Sequence, residues 1–392
     1  MYININFFNK GNGDIMDFIV DVGSIQRAIK ILSIVVKANA LDSTGMVLIE
    51  ALEDKVIFSS NNGSTSISVK VKDVDVESTG DVALLYSRIK SFISSFKQYN
   101  NDSGAKHFRF KSDKKNTKIL VDNFFNGELS KSSLTVTSMN SSVVAKPEDL
   151  GTVDFSINAS VMTAAINKVL YAVNPQIGFN QPSLQGMNVR FEDGSIFFAG
   201  SDGVVLSEFH TSNSNNTDNK NITLNYDFVM GLRRLISGDS QILWEERGGK
   251  VYVEFEDVVY NGRKLIGNEF PDYKSAFDKF SHQIELEKSF LIGAISPFID
   301  ILDPDDNFRI TVEIKDEIFR LYCPQAEFES KINIPSGLDF SIDLNGRILI
   351  QTIDSIKDEN IIFKFSDEDG FAIFDDVSTK TQKSLISSIK KR

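Results

Sequence analysis

Apolar residues along this chain follow two alternating rhythms. From Ser24, a plausible N-cap, the residues Ile25, Ala28, Ile29, Leu32, Val35 and Val36 keep the i, i+3, i+4, i+7 spacing that predicts one face of a helix. β-branched runs follow at 46–51, 56–60 and 65–71, parted by Glu53-Asp54 and Asn61-Asn62-Gly63, and predict strands joined by turns. A second helical face (Leu85, Ile89, Phe92, Ile93, Phe96) precedes further strand-like runs at 106–111, 118–123 and 128–129. A Ser-rich connector over 135–151 then interrupts the pattern.

The plan then recurs. A helical face on Val161, Ala165, Val169 and Ala172 is followed by runs at 187–191 and 195–200, which meet at the hairpin signal Glu192-Asp193-Gly194. A second turn, Ser201-Asp202-Gly203, opens a third strand, and the polar tract 211–221 reads as a surface loop. Phe228, Val229, Leu232, Leu235 and Ile236 mark another helix, followed by strands at 242–246, 250–255 and 258–265. A helix over 290–302, strands at 308–315, 318–323 and 327–334, a helix over 346–356 and strands at 361–366 and 371–374 complete the series.

The six helices begin near 24, 84, 158, 225, 287 and 345, with spacings of 60, 74, 67, 62 and 58 residues. Such self-similarity is the mark of a repeat. One helix with three or four antiparallel strands cannot bury its own apolar faces, so units should pair, two helices on one side of two sheets. The expected fold class is α+β, with three repeated domains. The boundaries read as an extension at 1–15, domains at 16–147, 148–280 and 281–376, and a mobile basic tail at 377–392. Three unrelated α+β modules are the alternative.

Composition narrows the chemistry. Of 392 residues, 41% are hydrophobic, enough for several cores. The single Cys323 excludes a disulfide framework within the chain and reads as a small buried residue, and His107, His210 and His282 have no zinc-ligand spacing. No apolar run reaches the ~20 residues that span a bilayer, and the first fifteen residues lack a signal-peptide core, so a cytoplasmic protein is expected. The acidic groups 303–307 and 367–370 lack EF-hand spacing, and no phosphate loop, nucleophile elbow or Cys/His pair is found. No metal, cofactor or catalytic residue is expected, and the protein is not read as an enzyme.

A net charge of −12 argues against nucleic acid unless the charge is unevenly spread. It is: the six helical segments carry twelve basic and eight acidic residues, and the first two are purely basic. Arg27, Lys30, Lys37, Arg88, Lys90 and Lys97, with Lys168, Arg233, Arg234, Arg347 and Lys357 on later helices, are the candidate phosphate-facing groups. The bland alternative is that these side chains merely solvate helix faces.

Three groups of residues carry a family resemblance: Leu184-Gln185-Gly186-Met187, Ser201-Asp202-Gly203-Val204-Val205-Leu206, and Gly267 followed by Phe270-Pro271-Asp272-Tyr273. In their order and spacing they resemble the β subunit of bacterial DNA polymerase III, the ring-shaped sliding clamp, over essentially 16–374. The resemblance implies a homodimeric ring around duplex DNA, bound without sequence preference, opened by an ATP-dependent loader and tethering a polymerase. It implies a hydrophobic partner-peptide groove made by Leu184, Ser201, Gly203, Val204, Val205, Leu206, Pro271, Ser275, Ala276, Ile373 and Phe374. Phe298, Ile301 and Leu302 are the expected dimer contacts.

The chain also departs from the family, with Val204-Val205 in place of His-Arg and sixteen residues beyond Asp376 in place of a short tail. A divergent or phage-encoded member fits these departures, with a location near the nucleoid or in a host's cytoplasm. Gln382-Lys383-Ser384-Leu385-Ile386 faintly resembles the Gln-x-x-Leu peptides that clamp partners insert, so a tail that occupies its own groove or a neighbour's is the alternative to a mobile basic end. Outside the family, a β-rich structural protein of a virus particle is the alternative. A sugar- or nucleotide-acting enzyme would need an acid cluster that is not found.

Overall fold

The computed structural model describes residues 16–100, 103–113, 115–177, 181–212, 220–267, 269–332, 338–366 and 370–390. The 1–15 extension, most of the acidic 367–370 turn and the centre of the 211–221 loop lie outside the described residues.

Six α-helices are present among the described residues: α1 Val22–Leu32, α2 Tyr86–Ile93, α3 Ala159–Val169, α4 Tyr226–Leu235, α5 Lys288–Ile295 and α6 Gly346–Ser355. Each begins within two residues of the position its periodicity predicts, and most are shorter than their apolar runs. For α1 the cap is Asp21 rather than Ser24: the Asp21 carboxylate accepts from the Ser24 amide at 3.0 Å. Leu84 and Leu85 belong to the strand Gly80–Leu85, so α2 starts after them. The predicted 290–302 helix gives way after Ile295 to a 3₁₀ turn at Ser296–Phe298, where Pro297 cannot continue the helical hydrogen bonding.

The chain forms two compact units, one of Met1–Asp154, Arg234–Ile236 and Ser240–Arg263, the other of Phe155–Arg233, Ser237–Asp239 and Lys264–Arg392. In the first, the strands Gln241–Arg247, Lys250–Phe255, Val258–Arg263, Thr65–Val71, Val56–Asn61, Met46–Ala51 and Gly80–Leu85 lie side by side in that order. A five-stranded sheet centred on Met16–Asp21 and Gly104–Ser112 supplies a second layer of the same unit. Phe18 stacks on Phe110 at 4.8 Å and meets Phe58 edge-on at 6.4 Å, so side chains of both sheets share one core. The helices α1 and α2 are tied together: Gln26 Nε2 donates to the carbonyls of Ile93 (3.0 Å) and Phe96 (2.7 Å), and the Tyr86 hydroxyl donates to Ile29 O at 3.0 Å.

In the second unit an eight-stranded sheet runs Asn221–Asn225, Gly186–Glu192, Ser195–Ser201, Val205–Ser212, Gln382–Ser387, Phe371–Asp376, Asn360–Phe365, His282–Glu287. A four-stranded sheet of Ala326–Lys331, Ile318–Cys323, Arg309–Lys315 and Asp339–Asn345 belongs to the same unit. Its core gathers Leu291, Ile295, Phe319, Leu344, Leu349, Ile353 and Phe363, from α5, α6 and both sheets.

Two expectations are corrected here. The segment beyond Asp376 is not a free basic end: Gln382–Ser387 is a strand paired on both sides, to Val205–Ser212 and to Phe371–Asp376. Gln382, Ser384 and Ile386 are fully buried in it. Cys323 is half-buried at the end of its strand rather than enclosed.

Candidate partner groove and basic helix faces

The groove is built on one lateral row. Ser201 stands opposite Leu206, Leu206 opposite Leu385, and Leu385 opposite Ile373, so four adjacent strands present one residue each to the same sheet face. Leu184, Ala199, Leu206, Phe270, Tyr273, Phe277, Ile373 and Leu385 form one buried cluster there, with Ala276 packed against it.

Local chemistry explains the motifs. A side chain on Gly186 would place its Cβ 1.9 Å from Leu224 O, so only glycine lets the two neighbouring strands close behind Leu184. The Ser201–Val205 turn is held by its own side chains. The Asp202 carboxylate accepts from the amides of Val204 and Val205, both at 2.8 Å, and the Ser201 hydroxyl donates to Val205 O at 2.8 Å. Gly203 sits at φ +86°, a conformation that glycine adopts without strain.

The connecting segment beyond Gly267 is anchored by aromatic rings. Phe270 meets Tyr273 edge-on at 5.8 Å and Tyr273 meets Phe277 at 5.9 Å. The Tyr273 hydroxyl donates to Glu208, and the Arg190 guanidinium lies 5.3 Å from the Tyr273 ring while its Nε is 3.2 Å from Glu192. Lys274 pairs with the same Glu192 carboxylate, whose pKa is lowered chiefly by that hydrogen bond.

Not every expected groove residue lies here. Val205 and Phe374 belong to the unit's main core, on the opposite sheet face, because neighbouring residues of a strand point to opposite sides. Val204 is exposed at the turn, Pro271 and Ser275 are exposed on the connecting segment, and Ala276 is half-buried. The cluster residues absent from the expected groove set are Ala199, Phe270, Tyr273, Phe277 and Leu385. A signal for Leu385 existed: adjacent apolar residues in a short polar run suit a strand buried on both faces, Leu385 in the groove cluster and Ile386 in the core.

Of the basic residues, Lys30, Lys37, Arg88, Lys90 and Lys97 are exposed in the first unit, on or just beyond α1 and α2. Arg27 is held by Asp257 (2.5 and 2.8 Å) and Glu256 (3.1 Å), so its charge is already matched. Arg234, Arg233 and Lys357 are exposed, and Arg347 is exposed over the Phe308 ring at 3.8 Å. Lys168 departs from expectation. It is 8% exposed with its ammonium 4.6 Å from the Phe209 ring, and burial lowers its pKa, so it is not placed to meet phosphate. Of the expected dimer contacts, Phe298 and Leu302 are core residues and only Ile301, 42% exposed, presents an apolar surface.

No group of three or more His, Cys, Asp or Glu side chains able to hold a metal occurs among the described residues, and no helix among them is long and apolar enough to cross a membrane. No family model matches the sequence, and no curated protein does. Solved structures do match. The DNA polymerase III subunit beta from Pseudomonas aeruginosa superposes with a TM-score of 0.85 at 15% identity, over 96% of this chain and 100% of that one. The beta subunit from Thermotoga maritima gives 0.80 at 15%, and the DNA polymerase sliding clamp from Bacillus subtilis 0.83 at 14%, each again over 96% and 100%. With helices and antiparallel sheets matched along nearly the whole chain, this protein has the fold of the bacterial β sliding clamps.

Proposed function

We propose that this protein is a DNA sliding clamp, a processivity factor that encircles duplex DNA and holds a polymerase to it. The observation that carries the reading is the full-length match to β-clamp structures, joined to an apolar cluster at the place where the sequence resemblance puts the partner groove. Under this reading the chain has three domains, 16–147, 148–280 and 281–376, the last completed by the strand Gln382–Ser387, and two chains close head to tail into a ring. An ATP-dependent loader opens the ring, and the protein itself catalyses nothing.

Two kinds of surface do the work. Exposed Lys30, Arg88, Lys90, Arg233 and Arg347 meet phosphates, contacts that hold the duplex without reading bases and so permit sliding. The groove takes a short apolar segment of a partner: each Leu- or Phe-sized side chain buried there contributes about 1.5–3 kcal/mol, so two or three anchors suffice for a tether that still exchanges. Leu206, Leu385 and Ile373 form the floor, and the exposed Val204, Pro271 and Ser275 are its rim under this reading.

The test is topological. With its loader and ATP, the protein is assembled on nicked circular DNA, which is then cut. Retention on the circle and loss after linearisation support the clamp; equal retention on both forms sinks it.

A further inference from the structure

The turn that edges the groove has a counterpart in the other unit. In Asn61-Asn62-Gly63-Ser64-Thr65, the Asn62 side chain accepts from the amides of Ser64 (3.0 Å) and Thr65 (2.9 Å), as Asp202 accepts from Val204 and Val205. The Asn61 side chain accepts from Gly63 N at 2.8 Å, as Ser201 accepts from Gly203 N at 3.1 Å, and the two glycines share positive φ, +91° and +86°. The strand leaving each turn pairs antiparallel in the same register: Thr65 stands opposite Gly262 and Ser66 opposite Asn261, where Val205 stands opposite Ile386 and Leu206 opposite Leu385. A 3₁₀ turn precedes the first strand of each meander, Ser43–Gly45 in one and Pro182–Leu184 in the other. The repeat therefore builds the groove's framework twice.

The chemistry of the two floors differs. At the positions of the leucine pair stand Ser66 and Asn261, the hydroxyl donating to Asn261 Oδ1 at 2.5 Å. Asn261 is 5% exposed, and its amide nitrogen Nδ2 has no hydrogen-bond partner. A buried N–H left without an acceptor is rare in a folded protein and marks a place where something else supplies one. Above it lies a depression of about 430 Å³, whose lining includes Ser64, Lys146, Glu148, Lys250, Asn261 and Arg263. Lys250 is matched by Glu148 at 2.8 Å and Lys146 by Glu50, while Arg263 is exposed and makes no ion pair with the described residues. The lining thus offers an orphaned amide donor and an unmatched guanidinium, with three cations to one carboxylate.

We propose that this depression is a second binding site, for an acidic peptide segment, with one carboxylate accepting from Asn261 Nδ2 and a neighbouring one pairing with Arg263. A peptide is favoured over a single anion by the size of the depression, which suits two or three side chains, and by the strand-and-turn framework it shares with the groove. The inference rests on the internal repeat and the polar floor, and stands whether or not the protein encircles DNA. Because one floor is apolar and the other polar, the two sites select different partners instead of competing for one.

The test uses the full-length protein and a fluorescein-labelled Asp-Glu-Asp-Glu tetrapeptide, followed by anisotropy at low salt. Saturable binding is expected, weakened about tenfold in Asn261→Ala and in Arg263→Ser, the scale of removing one charge-assisted hydrogen bond, and unchanged in Leu385→Ala. Arg263 is exposed, so its variant keeps the fold and carries the test if Asn261→Ala does not. Absence of saturation, equal binding by wild type and Arg263→Ser, equal binding of an Asn-Gln-Asn-Gln peptide, or displacement by inorganic phosphate at equal concentration would each overturn the proposal.

Discussion

The hydroxyl of Tyr273 donates to Oε2 of Glu208 at 2.5 Å, and both residues are 6% exposed. Burial first, and the neighbouring carboxylate second, push the Tyr273 phenol far above its ordinary value of 10.0, so it remains a neutral donor throughout the physiological range. This one bond ties the connecting segment to the strand that carries Leu206, and so gives the Phe-Pro-Asp-Tyr signature a structural purpose. Tyr273→Phe leaves Glu208 buried without its strongest donor, with Arg190 Nη2 still 3.6 Å away. A loss of about 1–3 kcal/mol is expected in urea unfolding. An unchanged midpoint would show that the bond is dispensable.

Strand Gln382–Ser387 is sandwiched between two neighbours, and that placement makes a prediction opposite to that of a free tail. Deleting 382–392 strips the hydrogen-bonding edges of Val205–Ser212 and Phe371–Asp376 and removes the buried Leu385 and Ile386. The expected result is loss of cooperative unfolding in the second unit, together with aggregation through the uncovered edges. Trypsin acting on the native protein should likewise spare Lys383 for as long as the fold persists. Rapid cleavage at Lys383 with an unaltered melting curve would contradict the pairing.

Much of this was legible in the sequence because helix periodicity survives in short stretches: six starts were readable from apolar spacing alone, each within two residues of the structure. The groove was less legible, for physical reasons. Leu206 and Ile373 are implied by the family resemblance, but Leu385 sits in a run whose two apolar residues are adjacent, a pattern that does not read as a half-buried strand. Val205 and Phe374 were drawn into the groove by their neighbours, although strand geometry sends them to the other face. Lys168 shows the same limit. Position on a helix without acidic residues could not reveal that its ammonium lies buried over the Phe209 ring.

The basic faces give a salt-dependent prediction. Lys30, Arg88 and Lys90 are exposed on α1 and α2, whereas Arg27 is already occupied by Asp257 and Glu256. Replacing Lys30, Arg88 and Lys90 together by Ser should lower the slope of log affinity for duplex DNA against log salt by ~0.9 for each phosphate no longer neutralised. Arg27→Ser should change the slope less than any one of the three. If Arg27 proved the dominant phosphate ligand, the ion pair would have to open on binding.

Lys168 separates burial from DNA contact. Burial is the main cause of its lowered pKa, with repulsion from Lys357 adding to it and the charges of Asp376 and Asp358 opposing it. For a base whose folded value lies below its unfolded value, folding favours the neutral form. The stability this group contributes is complete above the ordinary value of 10.5 and is lost as the pH falls through the folded value. Lys168→Met removes that dependence. Exchanging a desolvated ammonium for an apolar chain of similar length should leave stability near neutral pH equal or higher. The wild type should then gain on the variant as the pH is raised toward 10.5, a difference readable from paired urea titrations at pH 7 and pH 9.5. Retention on circular DNA should be the same for both proteins, since the ammonium lies against Phe209. A variant that lost DNA retention while keeping its stability would return Lys168 to the phosphate-facing set.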